Sequence, residues 1–177
     1  VKDHMRSLKA QLLMDRKRRA AGLGGGSAAN LHMIFTGNPG TGKTTIGRLV
    51  AELLTALGKL PKGHLVETDR AGLVAPYCGQ TALKVQEIVR SAIGGMLFVD
   101  EAYALVKDPK DTFGKEALDT LIKLVEDHRD DLVVVLAGYP HEMDELLSYP
   151  WNGRYVLLLM GICSVYCGLL YNDFFGN

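Results

Sequence analysis

Gly37-Asn38-Pro39-Gly40-Thr41-Gly42-Lys43-Thr44 fits the pattern G-x-x-x-x-G-K-[ST]. An apolar run, Leu31-His32-Met33-Ile34-Phe35-Thr36, precedes it, and a helix-like run from Ile46 to Leu57 follows. Strand, glycine-rich loop and helix in that order is the setting in which the pattern builds a phosphate-binding loop. The glycines let the backbone approach phosphate oxygens and allow positive φ. Successive backbone N–H groups form a nest for an anion, and the helix N-terminus adds its dipole. Lys43 is placed to reach β- and γ-phosphates and the Thr44 hydroxyl to ligate Mg²⁺. Thr45, next on the helix, is counted with the cradle. The ligand class predicted is a nucleoside triphosphate.

A second stretch supplies carboxylates. Gly94-Gly95 leads into Met96-Leu97-Phe98-Val99 and then Asp100-Glu101. Four apolar residues closed by two acids read as a buried parallel strand with the acids at its C-terminal end, where open α/β sheets bind ligands. Asp100 is expected to hold Mg²⁺ through water, and Glu101 to orient and polarise the attacking water. The pattern is weak alone and gains meaning from the loop upstream.

Around these stretches strands and helices alternate. Strands are expected at Leu31–Thr36, Leu65–Thr68, Met96–Val99 and Leu132–Ala137. Helices are expected between them at Thr44–Leu57, Thr81–Ile93 and Lys115–His128. In the second helix Val85, Ile88, Val89 and Ala92 share a face; in the third, Leu118, Leu121, Ile122 and Val125 do. This alternation predicts an α/β fold of three layers, a parallel sheet covered by helices on both sides.

The 177 residues suffice for one domain with a real core, and 47% apolar with 23% charged residues is an ordinary globular composition. Lys+Arg and Asp+Glu are both 20. With zero net charge, no global field draws the chain to nucleic acid or an anionic membrane. The cysteines are Cys78, Cys163 and Cys167; an odd count with no framework favours a reducing compartment. Cys163 and Cys167 are spaced i, i+4 without metal partners around them, and the five histidines are scattered without ligand spacing.

The ends differ from the middle. Val1, Met5, Leu8 and Leu12 fall on one helical face, ending in Arg16-Lys17-Arg18-Arg19 and a linker from Gly22 to Ser27. Residues 148–177 hold seven of the thirteen aromatic residues but only two charges, Arg154 and Asp173. Tyr155 to Tyr171 is uncharged over seventeen positions, the lower limit of a membrane-spanning length of ~17–25 residues. A membrane anchor is the lesser reading; a tail foreign to the domain, or a divergent last strand, are the others. The expected division is residues 1–29 as helix and linker, 30–149 as the core, and 150–177 as an atypical apolar tail.

With the loop, the Asp100-Glu101 pair and the segments between them in view, the chain resembles the AAA+ ATPases. Within them it is similar to the group holding the red-type Rubisco activase CbbX and the stage V sporulation protein K. The stretches that carry the likeness are GNPGTGKTTIGRLVAELL, DRAGLVAPYCGQTALKV, GGMLFVDEAYAL, FGKEALDTLIKLVEDHRDDLVVVLAGY and PHEMDELL, within residues 1–149. The resemblance implies ATP as substrate, Mg²⁺ as cofactor, hydrolysis to ADP and phosphate, a hexameric ring and remodelling of a protein partner. It suggests that Tyr77, in Ala75-Pro76-Tyr77-Cys78-Gly79, is the pore-loop aromatic that grips a substrate peptide. Many members place a polar sensor after the fourth strand; here Ala137-Gly138-Tyr139-Pro140 offers Tyr139 as a nearby candidate. Arg154 lies near the offset of an arginine finger but in the wrong context, so that role is not carried over. The helical lid that follows in the family is missing from this sequence. The expected location is the cytoplasm, with a plastid stroma as the alternative. Two rival readings remain: a truncated nucleotide-binding or interaction module with little or no hydrolysis, and a DNA-directed member, which the zero net charge opposes.

Overall fold

In the computed structural model of the chain, the described residues are 31–77, 79–148 and 164–166, with scattered positions between 10 and 22. The N-terminal helix face, the linker beyond Gly22, Cys78, Arg154 and the two tail cysteines lie outside them.

Five strands form one parallel sheet in the order β2-β3-β4-β1-β5. They are β1 (Met33–Thr36), β2 (Leu65–Thr68), β3 (Met96–Val99), β4 (Val133–Gly138) and β5 (Ser164–Tyr166). The helices are α1 (Lys43–Ala56), a single turn α2 (Arg70–Leu73), α3 (Thr81–Ala92), α4 (Thr112–Asp127) and α5 (Pro140–Ser148). A 3₁₀ turn, Ala102–Leu105, follows β3. The expected parallel α/β sandwich is therefore the observed architecture. The strand expected within residues 132–137 is β4, and every one of its residues is buried.

The continuous apolar runs are explained by position. β1, β3 and β4 are interior strands buried throughout, whereas β2 sits at the edge and is only half-buried. Side chains alternate between the two faces of a strand, so each run feeds two cores. Met33, Phe35, Met96, Phe98, Val133 and Val135 pack under Val50, Ala51 and Leu54 of α1. Ile34, Leu97, Val99, Val134 and Leu136 pack under α3, α4 and α5. Gly47 sets the distance on the α1 side, because a Cβ there would lie 2.9 Å from the Phe98 ring. That close approach brings the N-terminus of α1 down onto the sheet.

Several elements were missed or left open by the sequence reading. α4 starts at Thr112, three residues before the expected Lys115, because the Asp111 carboxylate accepts from the backbone N–H of Phe113 and Gly114 and caps the helix. Arg70 pairs with the same carboxylate and holds it below the usual carboxylate range. α5, unassigned from periodicity, opens with Pro140 at a first-turn position that tolerates it. β5 falls inside the segment set apart on composition, and its backbone pairs with β1 from Ile34↔Ser164 to Thr36↔Tyr166. Among the described residues no helix is long and apolar enough to cross a membrane.

His32 belongs to the core. Its Nδ1 accepts from the Val134 N–H at 3.1 Å, and burial lowers its pKa from 6.5 to about 4. The folded chain thus needs a neutral ring where the unfolded chain takes up a proton. Stability from this group is complete above pH 6.5 and is lost as the pH falls toward 4. The full span corresponds to on the order of 3 kcal/mol. Between pH 7 and 4.5, urea unfolding should show wild type losing about 2 kcal/mol more than His32→Asn. Equal losses would contradict the assignment.

Candidate functional site

Parallel pairing places the C-terminal ends of β1, β3 and β4 side by side. Thr36 is in register with Gly138, and Val99 with Leu136. The Gly37 N–H donates to the Gly138 carbonyl at 3.1 Å, fixing the start of the loop against the end of β4. Residues 37–42, the Asp100-Glu101 pair and Tyr139 therefore emerge at the same edge of the sheet.

They surround an open cleft of about 360 Å³. Its walls are Pro39, Gly40, Thr41, Gly42, Lys43 and Thr44 on one side, with Asp100, Glu101, Gly138 and Tyr139 on the other. Gly37 is buried beneath it, while Asn38 and Thr45 are exposed and outside its lining. Gly40 and Gly42 have φ of +73° and +75°, values that favour glycine, and a Cβ on either would meet nothing within 4 Å. Here glycine serves the backbone conformation and the open approach, not packing.

The N-terminus of α1 faces this space without a side-chain cap, at Gly42. The first intrahelical bond is Ile46 N–H to Gly42 O at 2.9 Å, so the N–H groups of Lys43, Thr44 and Thr45 have no partner within the helix. At α2 and α4, aspartates fill the corresponding role. A helix end left open beside a cleft supplies donors and a partial positive charge for an anion.

Lys43 is the sole cation among the residues lining the cleft. Its Nζ donates to Gly37 O at 2.9 Å and Asn38 O at 3.2 Å, and lies 5.4 Å from the centroid of the Tyr139 ring. The ammonium is thus held by neutral groups that a phosphate oxygen can outcompete, since hydrogen bonds between ions are roughly twice as strong.

Asp100 and Glu101 stand across from it. The Asp100 Oδ1 accepts from the Glu101 N–H at 3.0 Å. Glu101 is exposed and has φ +48°, unique among the described residues other than glycine. Such a backbone costs on the order of 1 kcal/mol or more and is found preferentially at functional sites. Thr44 and Asp100 offer oxygen donors of the kind that suits Mg²⁺. No three His, Cys, Asp or Glu side chains cluster among the described residues. Mg²⁺ is usually held by one or two carboxylates together with substrate phosphates and water.

Two residues beyond the sequence assignment support the Tyr139 side of the cleft, Gly138 in its lining and Tyr103 behind it. Gly138 ends β4 where a Cβ would lie 2.7 Å from Met143 Sδ and 2.9 Å from the Tyr103 ring. Tyr103, on the 3₁₀ turn after Glu101, packs on Tyr139 with ring centroids 5.7 Å apart. A glycine closing a fully apolar strand was the available signal for the first. Tyr103 carried none, because nothing local fixes where its ring turns.

Tyr77 lies apart from the cleft. It is 68% exposed on the segment between α2 and α3, whose two ends are tied down. Asp69 caps Gly72 N at 2.8 Å, and Lys84 Nζ donates to Ala71 O at 2.7 Å and Val74 O at 2.9 Å. The buried Thr81 hydroxyl accepts from Ala75 N at 3.3 Å. An aromatic side chain thus projects to solvent from an anchored base.

Comparison with known proteins agrees with this geometry. The profile of the ATPase family associated with various cellular activities (AAA) matches residues 33–154. A profile of the V-type ATPase 116 kDa subunit family matches residues 134–177, a minority of the chain that overlaps the first match. The chain is 46% identical over 148 residues to stage V sporulation protein K of Bacillus subtilis, covering 84% of this chain and 46% of that protein. It is 49% identical over 149 residues to protein CbbX of Cereibacter sphaeroides, covering 84% and 48%. To the chloroplastic ribulose bisphosphate carboxylase/oxygenase activase of Cyanidioschyzon merolae it is 47% identical over 149 residues, covering 84% and 50%. The chain spans about half the length of these curated relatives. A crystal structure of the FIGL-1 AAA domain in complex with ADP superposes with a TM-score of 0.62 at 22% identity, covering 96% of this chain and 53% of that one. That likeness concerns the fold alone. With a matching profile over more than half its length and relatives near 50% identity, the chain belongs to the AAA family of ATPases.

Proposed function

We propose that this chain binds ATP with Mg²⁺ in the cleft, hydrolyses it to ADP and phosphate, and couples the cycle to remodelling a protein partner. The carrying observation is the meeting of the Gly40–Thr44 loop, the open end of α1 and the Asp100-Glu101 pair around one cleft. Lys43 exchanges its carbonyl partners for β- and γ-phosphate oxygens. The α1 N–H groups hold the phosphates, and Thr44 and Asp100 hold the metal. Bound Mg²⁺ supplies charge neutralisation for the phosphates. Glu101 orients and polarises the water that attacks the γ-phosphate. Tyr139, the residue after β4, is the nearby candidate for sensing that phosphate. Tyr77 is the candidate grip on a substrate peptide, its exposed ring offering apolar area and a polar tip.

The relatives support the coupling to a protein, since one is an activase of ribulose bisphosphate carboxylase/oxygenase. The cleft supports an oligomer. Its described lining holds a single cation, whereas a transition state of phosphoryl transfer spreads charge over three oxygens. A second cation supplied by a neighbouring subunit can be worth ~10³–10⁵ in rate. A hexameric ring brings such neighbours together. The same observation favours the second reading, a nucleotide-binding module that hydrolyses little as an isolated chain.

Glu101→Gln should keep ATP affinity and lower turnover by about 10² or more, read as nucleotide titration beside phosphate release. Unchanged turnover would remove Glu101 from the chemistry. Lys43→Ala should abolish saturable nucleotide binding in calorimetry, and wild-type affinity in that variant would refute its role. Turnover per chain should rise with protein concentration as subunits assemble. A flat, near-zero rate would favour the non-hydrolysing module.

A further inference from the structure

Lys43, Tyr139 and Tyr103 form a continuous row that runs from the lining of the cleft to the ring packed behind it. The Lys43 ammonium rests 5.4 Å from the centre of the Tyr139 ring, and the Tyr139 ring is tilted 33° against Tyr103 at 5.7 Å. Tyr103 is wedged where Gly138 leaves room for it, beside Met143 of α5. It also sits on the turn that Glu101 begins: Ala104 N–H donates to Glu101 O at 2.8 Å, and Val106 N–H to Tyr103 O at 3.1 Å. The two tyrosines therefore join the lysine expected on phosphate to the turn that carries the glutamate expected on water.

We infer that Tyr103 is a positioning residue whose ring contact with Tyr139 ties the setting of the Glu101 turn to whether Lys43 rests on the Tyr139 ring or on a phosphate.

The inference rests on the nucleotide reading above and adds a route by which phosphate occupancy reaches Glu101. Each link is weak enough to be exchanged. An exposed ammonium over an aromatic ring is worth ~0.5–1 kcal/mol, which a charge-assisted bond to phosphate exceeds. Losing the ammonium removes the contact that joins the Tyr139 ring to the loop. Tyr139 and Tyr103 then shift as a packed pair, since aromatic pairs are themselves worth ~0.5–1.5 kcal/mol beyond area burial. The receiving element is prepared to respond, because Glu101 occupies a strained φ of +48° at the start of a turn of only four residues. The Tyr103 hydroxyl is pushed up to about 12, first by burial and then by the Glu101 carboxylate. It stays a neutral O–H facing that carboxylate throughout the physiological range.

The test is hydrogen exchange by mass spectrometry on the full chain, with and without AMPPNP and Mg²⁺. Binding is followed in parallel by calorimetry. In wild type the nucleotide should change exchange both in residues 37–46 and in the 101–106 turn. Tyr103→Leu should bind AMPPNP within about threefold of wild type and keep the change at 37–46 while losing that at 101–106. Tyr103→Phe, which keeps the ring, should restore it. If Tyr103→Leu fails to fold by circular dichroism, Tyr139→Leu breaks the same contact from the cleft side and should give the same loss at saturating nucleotide. A 101–106 response that survives removal of the ring overturns the inference. So does a tenfold loss of affinity in Tyr103→Leu, which would make Tyr103 part of the binding surface. A flat wild-type titration refutes the nucleotide reading itself and the inference with it, and calorimetry distinguishes that failure from the others.

Discussion

The pairing of β1 with β4 governs where everything functional lies. Thr36 sits opposite Gly138, and the Gly37 N–H donates to the Gly138 carbonyl at 3.1 Å. That bond fixes where the chain leaves the sheet to become the glycine loop. Because β4 also pairs with β3, Leu136 opposite Val99, the same register brings Asp100 and Glu101 to the edge where the loop turns. A one-residue slip of β1 would reverse its faces, sending Phe35 out of the α1 core and the loop away from the acids. Burial of β1, β3 and β4 on both sides makes such a slip costly. The precision of the site is thus inherited from apolar packing beneath it.

Packing also explains why the helix that follows the loop can offer its N-terminus to a ligand. Gly47 lets α1 settle close on Phe98, and Val50, Ala51 and Leu54 bury the rest of that face. Anchored so, the helix tolerates an N-terminus without a side-chain cap. A typical cap contributes ~1 kcal/mol, and forgoing it leaves backbone donors facing the cleft. The strained Glu101 follows the same logic: local stability given up at the edge is supplied by the core.

Much of this was legible in the sequence. The unbroken apolar run Met96–Val99 with acids after it marked a buried strand ending at the cleft, and the glycine loop lies between a strand and a helix as its pattern required. The helix α3 and the body of α4 followed from their periodicity, and α1 from its place after the glycine loop. What stayed hidden depended on partners distant in the chain. His32 looked like one scattered histidine until its ring met Val134 across the sheet. The start of α4 depended on Asp111 acting as a cap while holding Arg70. Tyr103 could not be assigned because its position depends on space left by Gly138, thirty-five residues later. The apolar segment after residue 148 left a membrane anchor, a foreign tail and a divergent last strand open, and three of its residues extend the sheet beside β1 as a strand would. Composition reports burial and cannot say against which element.

The central claim is that the Lys43 ammonium, now on Gly37 O and Asn38 O, is held in reserve for phosphate. A crystal structure grown with saturating AMPPNP and Mg²⁺ tests it most directly. The account predicts Nζ on β- and γ-phosphate oxygens, with the Thr44 hydroxyl and Asp100 directed at the metal. A nucleotide bound elsewhere, with Lys43 still on its two carbonyls, would contradict it.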